Sequence, residues 1–317
     1  MPKVSVVIPA YNAMAYLPET VRSVLSQTFT DFEVLIINDG SSDKIVEWAS
    51  GLVDSRVKLI SQENQGTCGA RNTGIAHARG EYIALLDADD LWEQTKLEKQ
   101  IRFLEDNPEV GLVYTWTVLV DTQGKPTGRM STFQAEGDVW KQIVVCQFLT
   151  CSSVVVRRCC FKTVGVFDRN LLFSEDWDMW IRIASHYSFA AIKQPLVRYR
   201  LHSNNKCKDW QGLLQDAHTI IERAFHFAPS ELLYLRNRSY GYLNLDMGWR
   251  ALASRDYKAV SQFHQQALAH YSQLRYSWHY IRLSIAIAMV HWFGPQGYEL
   301  VRSLTHALRR RISSVTH

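Results

Sequence analysis

Long apolar runs are missing from this sequence of 317 residues. The longest such stretch near its end, Leu283 to Phe293, falls well short of the ~20 residues a membrane-spanning helix needs. The opening Met1-Pro2-Lys3-Val4-Ser5-Val6-Val7-Ile8-Pro9 is too short for a secretory leader and is broken by Pro9, so it reads as a buried strand. The six cysteines, at 68, 146, 151, 159, 160 and 207, form no Cys-x-x-Cys pair and have no histidine at zinc spacing. That excludes a structural zinc site and a disulfide framework, and the absence of a leader adds the expectation of a reducing cytoplasm. Strong charge of either sign is also lacking. A net +4 provides no global field for nucleic acid, although Arg302, Arg309, Arg310 and Arg311 gather basic charge at the carboxyl end. With 47% hydrophobic and 21% charged residues, the composition excludes disorder and suits one large domain or a domain with an appendage.

What is present is concentrated at the ends of apolar segments. Residues 1 to about 90 alternate short apolar runs with helical patterns, the signature of βαβ units and a mostly parallel sheet. Strands are predicted at Val4 to Ile8, Phe32 to Ile37, Val57 to Ile60 and Tyr82 to Leu86, with helices after Pro18 and over Cys68 to Ala78. Ligands of such sheets bind beyond the carboxyl ends of the strands. The polar residues there are Pro9-Ala10-Tyr11-Asn12, Asn38-Asp39-Gly40-Ser41-Ser42-Asp43 and Asp87-Ala88-Asp89-Asp90. All three groups are expected on one rim. The last is read in two ways: a solvated turn with a helix cap, or hard oxygen ligands for Mg²⁺ or Mn²⁺. Asp90 is expected to cap a helix beginning near Trp92, which leaves Asp87 and Asp89 to be explained.

Beyond this rim the pattern is less regular. Val110 to Val120, Leu149 to Arg157 and Ala190 to Leu201 read as strands, with a hairpin turn at Asp121-Thr122-Gln123-Gly124. One helix stands out over Glu175 to Ala184, with acids in its first turn and Trp177, Trp180, Ile181 and Ala184 on one face. From about 206 glycine is scarce and helical periodicity dominates. Helices are predicted near 211 to 225, 230 to 253, 257 to 271, 277 to 292 and 297 to 311. The stretch Leu243 to Leu268 is similar to a single tetratricopeptide unit, although such arrays need about three repeats.

Six blocks occur together in order: Pro9-Ala10-Tyr11-Asn12; Asn38 to Asp43; Asn64-Gln65-Gly66 with Arg71-Asn72 and Gly74; Asp87 to Asp90; Glu175-Asp176-Trp177-Asp178; and Tyr199-Arg200-Leu201-His202. On these residues the chain resembles the inverting family 2 glycosyltransferases of the GT-A type, over roughly residues 3 to 205. The resemblance implies an α/β nucleotide-diphospho-sugar transferase fold, a Rossmann-like mixed sheet, over 1–205, followed by a helical region over 206–317. It implies a hexosyltransferase that moves sugar from a UDP-sugar to a hydroxyl of a glycan or lipid-linked acceptor in cell-surface polysaccharide or glycoconjugate synthesis.

Each part of such a donor needs its own partner. Pro9, Tyr11, Asn12, Asp39, Arg71, Asp87 and Asp89 are the expected donor-binding residues. Tyr11 suits packing on a uracil face and Asp39 suits accepting from the base imide or a ribose hydroxyl. Asp89, with Asp87 and His202, is the expected metal set for Mn²⁺ or Mg²⁺ on the diphosphate, Asp87 having a ribose contact as its alternative. Arg71 offers a fork of donors to a phosphate or, equally, to an acid that orients the site. Asp176 is the expected base for the acceptor hydroxyl, with Glu175 and then Asp178 as competitors and a helix-cap role as its alternative. Trp177 is read as core.

Other functions fit less of the sequence. A nucleotidyltransferase also needs metal-binding acids, but no glycine-rich basic loop follows the first strand. A non-catalytic nucleotide- or glycan-binding protein leaves the acids without a task. The helical end is read as a partner-docking module or as a peripheral anchor at the inner membrane face, through Arg309-Arg310-Arg311 beside Trp292 and Phe293.

Overall fold

Continuous runs of β-branched residues that cannot alternate with water must be covered on both faces, and the first strands obey this. The computed structural model describes residues 1–202, 209–226 and 228–313, with side chains through Tyr298. The strands are β1 (Val4–Ala10), β2 (Phe32–Asp39), β3 (Val57–Gln62), β4 (Tyr82–Leu85), β5 (Leu91–Trp92), β6 (Val110–Val120), β7 (Pro126–Ser131), β8 (Val155–Arg157) and β9 (Ser188–Arg200). They form one mixed sheet in the order β3-β2-β1-β4-β8-β6-β9-β5, with β7 hairpinned onto β6. β1 runs parallel to both β2 and β4, and β8 runs antiparallel between β4 and β6. The chain therefore leaves β1 toward one side of the sheet and returns to β4 on the other, which opens a crevice at the carboxyl ends of β1 and β4.

The helices are α1 (Leu17–Leu25), α2 (Ile45–Ser50), α3 (Gly66–His77), α4 (Lys96–Asp106), α5 (Trp140–Ile143), α6 (Arg158–Val164), α7 (Glu175–Ala184), α8 (Trp210–His226), α9 (Leu233–Ala253), α10 (Tyr257–His270) and α11 (Trp278–Ser313). Gly74 lets α3 lie directly on β1: a Cβ there would stand 2.2 Å from a Val7 methyl. The helix α11 breaks at Gly294, where φ is 70° and ψ 172° ahead of Pro295. The two expected C-terminal helices thus meet at this kink.

Two compact units result. One holds Met1–Ile143 and Phe148–Asn205; the other holds Val144–Gln147 and Lys206–His317. In the second, the Ser239 hydroxyl donates to the Val144 carbonyl at 2.9 Å, which ties the short early segment to α9. Gly248 of α9 admits Leu283 of α11, whose Cδ2 would be 2.8 Å from an added Cβ. Cys207 lies outside the described residues, as do the side chains of Arg302, Arg309, Arg310 and Arg311. Cys146, Cys151, Cys159 and Cys160 are free, and the Cys68 thiol donates to the Leu171 carbonyl at 3.2 Å.

Two expectations fail locally. Leu149 to Arg157 is not one strand, because a 3₁₀ turn at Cys151–Ser153 precedes β8 and turns the Ser152 hydroxyl toward the acids. Asp90 caps no helix: Leu91 and Trp92 form β5, and α4 starts only at Lys96. Its carboxylate is instead fully buried between the Ser152 hydroxyl at 2.6 Å and the Arg200 backbone N–H at 3.0 Å.

Candidate active site

The three predicted rim segments do meet at the carboxyl edge of β1, β2 and β4. Pro9 stands in β1 opposite Ile37. Asn12 takes up a positive φ of 50°, a conformation asparagine tolerates better than most residues. Its backbone N–H donates to the Ser41 hydroxyl at 3.0 Å, and its side-chain oxygen accepts from the Ser42 N–H at 2.9 Å. These bonds clamp the β1 and β2 ends together. Tyr11 between them is 56% exposed, so the ring is presented to solvent and is not a half-buried core aromatic. Asp39 is buried and accepts from the Gln62 amide at 2.7 Å and the Gln65 N–H at 2.9 Å, both on Oδ1. The fork of Asp39 is thereby oriented before any ligand arrives.

The acidic loop after β4 is braced from several sides. The Thr20 hydroxyl of α1 donates to the Ala88 carbonyl at 2.9 Å, and the Asp87 N–H donates to Ser152 Oγ at 3.1 Å. Arg200, buried at the end of β9, donates to the Asp89 carbonyl at 2.9 Å, to the Thr122 carbonyl at 2.9 Å and to Glu19 at 2.8 Å. Its guanidinium also lies 4.8 Å from the Tyr16 ring centroid. Burial, then the Asp89 and Asp87 charges, push Asp90 well above the carboxylate range. Asp90 is therefore an anchor of the loop and no part of its accessible face.

Asp89 and His202 come together, with Nε2 2.6 Å from Oδ2 and the imidazole stacked on Tyr16 at 5.2 Å between ring centroids. Burial and the Asp87 charge raise the Asp89 pKa, while His202 opposes the shift. Asp87 turns elsewhere, accepting from Arg71 Nη2 at 2.7 Å. Asp87, Asp89 and His202 do not converge as a preformed triad; among the described residues no three His, Cys, Asp or Glu side chains do. The donor set that stands together is one carboxylate and one imidazole, a combination of hard oxygen and borderline nitrogen that suits Mn²⁺.

Arg71, on α3, is the centre of the arrangement. Of the two partners expected for it, phosphate or acid, it holds acids, with Nη2 on Asp87 and Nη1 on Glu175 at 2.6 Å. Glu175 and Asp176 open α7, so Arg71 brings the start of that helix to the β4 loop. Asp176 is partly exposed beside this pair, and its carboxylate accepts from the Trp177 N–H at 2.8 Å. Burial first, then the Glu175 charge, raise its pKa to about 7 against the pull of Arg71. Asp178, the third expected base, is buried and held by Arg182 at 2.7 Å. Trp177 is core, its indole N–H donating to the Ile143 carbonyl at 2.6 Å. Asn72 pins α3 to the loop before α7 through paired bonds with the Phe167 backbone at 2.8 and 2.9 Å.

Sequence reasoning gave no task to Ser152, Tyr16 or Glu19, and named Arg200 without one. Ser152 follows an apolar segment with no motif around it. Arg200 carried a signal, since a charged residue at the end of a long apolar strand needs partners when buried.

Residues 5–159 match the model of the family described as glycosyl transferase family 2. An uncharacterised glycosyltransferase of Methanocaldococcus jannaschii is 35% identical over 212 residues, covering 63% of this chain and 71% of that protein. A similar protein of Rickettsia bellii is 33% identical over 235 residues, covering 72% of this chain but 34% of the relative. The chain thus spans about a third of the length of its Rickettsia bellii, conorii and felis relatives. The Escherichia coli UDP-Glc:alpha-D-GlcNAc-diphosphoundecaprenol beta-1,3-glucosyltransferase WfgD is 28% identical over 257 residues, 76% of this chain and 97% of WfgD. Among solved structures, mannosyltransferase PcManGT of Pyrobaculum calidifontis, in complex with GDP-Man and Mn²⁺, aligns at a TM-score of 0.60 with 19% identity over 96% of this chain and 87% of its own. Residues 1–349 of S. aureus TarS, in complex with UDP-GlcNAc, align at 0.57 with 16% identity over 86% of this chain and 92% of theirs. At these identities the likeness is one of fold, and the fold is that of the GT-A transferases.

Proposed function

The chain belongs to glycosyl transferase family 2, and from that premise we propose that it moves a sugar from a UDP-sugar to a hydroxyl of a lipid-linked or glycan acceptor, with inversion at the anomeric carbon and a divalent ion on the diphosphate. The observation that carries this reading is the double ion pair of Arg71, which joins Asp87 on the donor loop to Glu175 at the start of α7. A donor held by the first is thereby aligned with a base carried by the second.

Uridine fits the far end of the crevice. Tyr11 covers one face of the base, and Asp39, oriented by Gln62 and Gln65, accepts from the imide through Oδ2. WfgD, similar over 97% of its length, is named for a UDP-sugar and a diphosphoundecaprenol acceptor, which supports both the donor and the acceptor class. Asp89 and His202 are the residues that would hold the ion, with Mn²⁺ favoured over Mg²⁺ by the imidazole. When bound, such an ion supplies Lewis-acid neutralisation of the diphosphate leaving group.

Asp176 takes the acceptor proton. Its raised pKa matches a base that works near neutral pH, whereas Glu175 is committed to Arg71 and Asp178 to Arg182. As the proton moves to Asp176, the acceptor oxygen attacks the anomeric carbon opposite the departing UDP, and one displacement inverts the centre. The unit around the sheet carries this reaction, and we assign the helical residues 206–317 to acceptor choice or location. Purified protein offered a panel of UDP-sugars with Mn²⁺ tests the reading: it should release UDP, while release of pyrophosphate from a nucleoside triphosphate instead would identify a nucleotidyltransferase.

A further inference from the structure

The helix α11 presents apolar side chains on the face that its own unit does not use. Leu283 and Ala286 are buried, Leu283 against α9, and Tyr280 stacks on His264 of α10 at 4.2 Å. At 3.6 residues per turn, Trp278, Ile281, Ile285, Met289 and Trp292 fall on the opposite side within roughly 80° of arc. Trp278 is 65%, Ile285 50% and Trp292 74% exposed, with Phe293 at the helix end and Tyr276 just before its start also open. A row of this kind exceeds the scattered single apolar residues of ordinary surfaces.

Charge decides what covers it. From Tyr257 through Tyr298 the sequence contains no aspartate or glutamate, while Lys258, Arg275 and Arg282 lie in the same stretch. Arg282 sits 5.6 Å from the Trp249 ring, on the flank of the stripe, and Arg275 immediately precedes Tyr276. Two copies of such a face would oppose Arg275 and Arg282 with no acid from α10 or from α11 through Tyr298 between them, which disfavours self-association. An anionic bilayer supplies the missing negative charge, and tryptophan and tyrosine rings suit its headgroup boundary. The helix lies on that surface and does not cross it: no helix among the described residues is long and apolar enough to span.

We infer that the Trp278–Ile285–Trp292 face of α11 is a docking surface for a membrane carrying anionic lipid. The expectation from the sequence put such contact at Arg309-Arg310-Arg311 beside Trp292 and Phe293; the described surface shares Trp292 and extends upstream to Trp278, while the side chains of the three arginines lie outside the described residues. The inference goes beyond the transfer reaction, since binding to vesicles requires neither donor nor ion.

Co-sedimentation of the full chain with vesicles of phosphatidylcholine alone, or mixed with phosphatidylglycerol, is the test. Two arginines near the surface should favour the anionic vesicles by roughly tenfold or more, and added salt should remove that preference. The triple variant Trp278→Ser, Ile285→Ser and Trp292→Ser should lose binding at least about tenfold. Its circular dichroism and its UDP release in vesicle-free buffer should match wild type, because these side chains face away from the helical core. Equal partition of wild type and triple variant, or no preference for anionic vesicles, overturns the inference. So does a dimer of the free protein that the same substitutions dissociate without any vesicle binding.

Discussion

At the scale of single residues, the proposal depends on Asp176 being a base poised by its neighbours. Burial and Glu175 raise its pKa to about 7, so the transfer rate should rise with pH along a limb of apparent pKa near that value. Replacing Glu175 by glutamine removes a like charge and leaves the nearby guanidinium, so the limb should move to lower pH in a pH–rate profile measured with saturating donor. The same group has a cost for folding. A carboxyl whose folded pKa lies above its unfolded value of 3.8 binds protons more tightly when folded. Stability is therefore lost as pH rises from about 4 through about 7. Asp176→Asn should melt with wild type near pH 4 and exceed it at pH 8, by on the order of 2 kcal/mol in denaturant titrations.

Elements place these residues, and the clearest dependence is α3 on β1. Adding a methyl at Gly74 meets Val7 at 2.2 Å, so Gly74→Ala should destabilise by about 1–3 kcal/mol and displace Arg71, lowering kcat together with the melting temperature. That position was legible beforehand only as a member of the block around Arg71. β1, β2 and β6 were easier to read, because short runs rich in valine and isoleucine favour extended backbone over helix, and β6 spans Val110–Val120 as expected. Asp90 was not legible. Whether an aspartate caps the next helix or is buried depends on Ser152 and Arg200, 62 and 110 residues away. The helix expected near Trp92 exists as α4 but starts at Lys96, because Leu91 and Trp92 pair with β9 first, and Lys96 and Gln100 lie fully buried on it. Arg71 was legible as a fork of donors with an undecided partner, because its second carboxylate is 104 residues distant.

For the whole molecule, the proposed division of labour between the β4 loop and α7 has measurable consequences. A ligand that binds only the folded protein stabilises it by about 2.7 kcal/mol at a hundredfold excess over its Kd. UDP with Mn²⁺ should therefore raise the melting temperature by several degrees, and a chelator should abolish both this rise and sugar transfer. Asp89→Asn should lose the same rise while retaining the fold, since that side chain is paired with His202 and the loop is anchored through Asp90. The most direct test compares donor affinity with transfer in Asp176→Asn, using calorimetric titration of UDP with Mn²⁺ alongside single-turnover transfer from a UDP-sugar. The account predicts an affinity within about twofold of wild type and transfer slower by at least about a hundredfold. Transfer at the wild-type rate would contradict it.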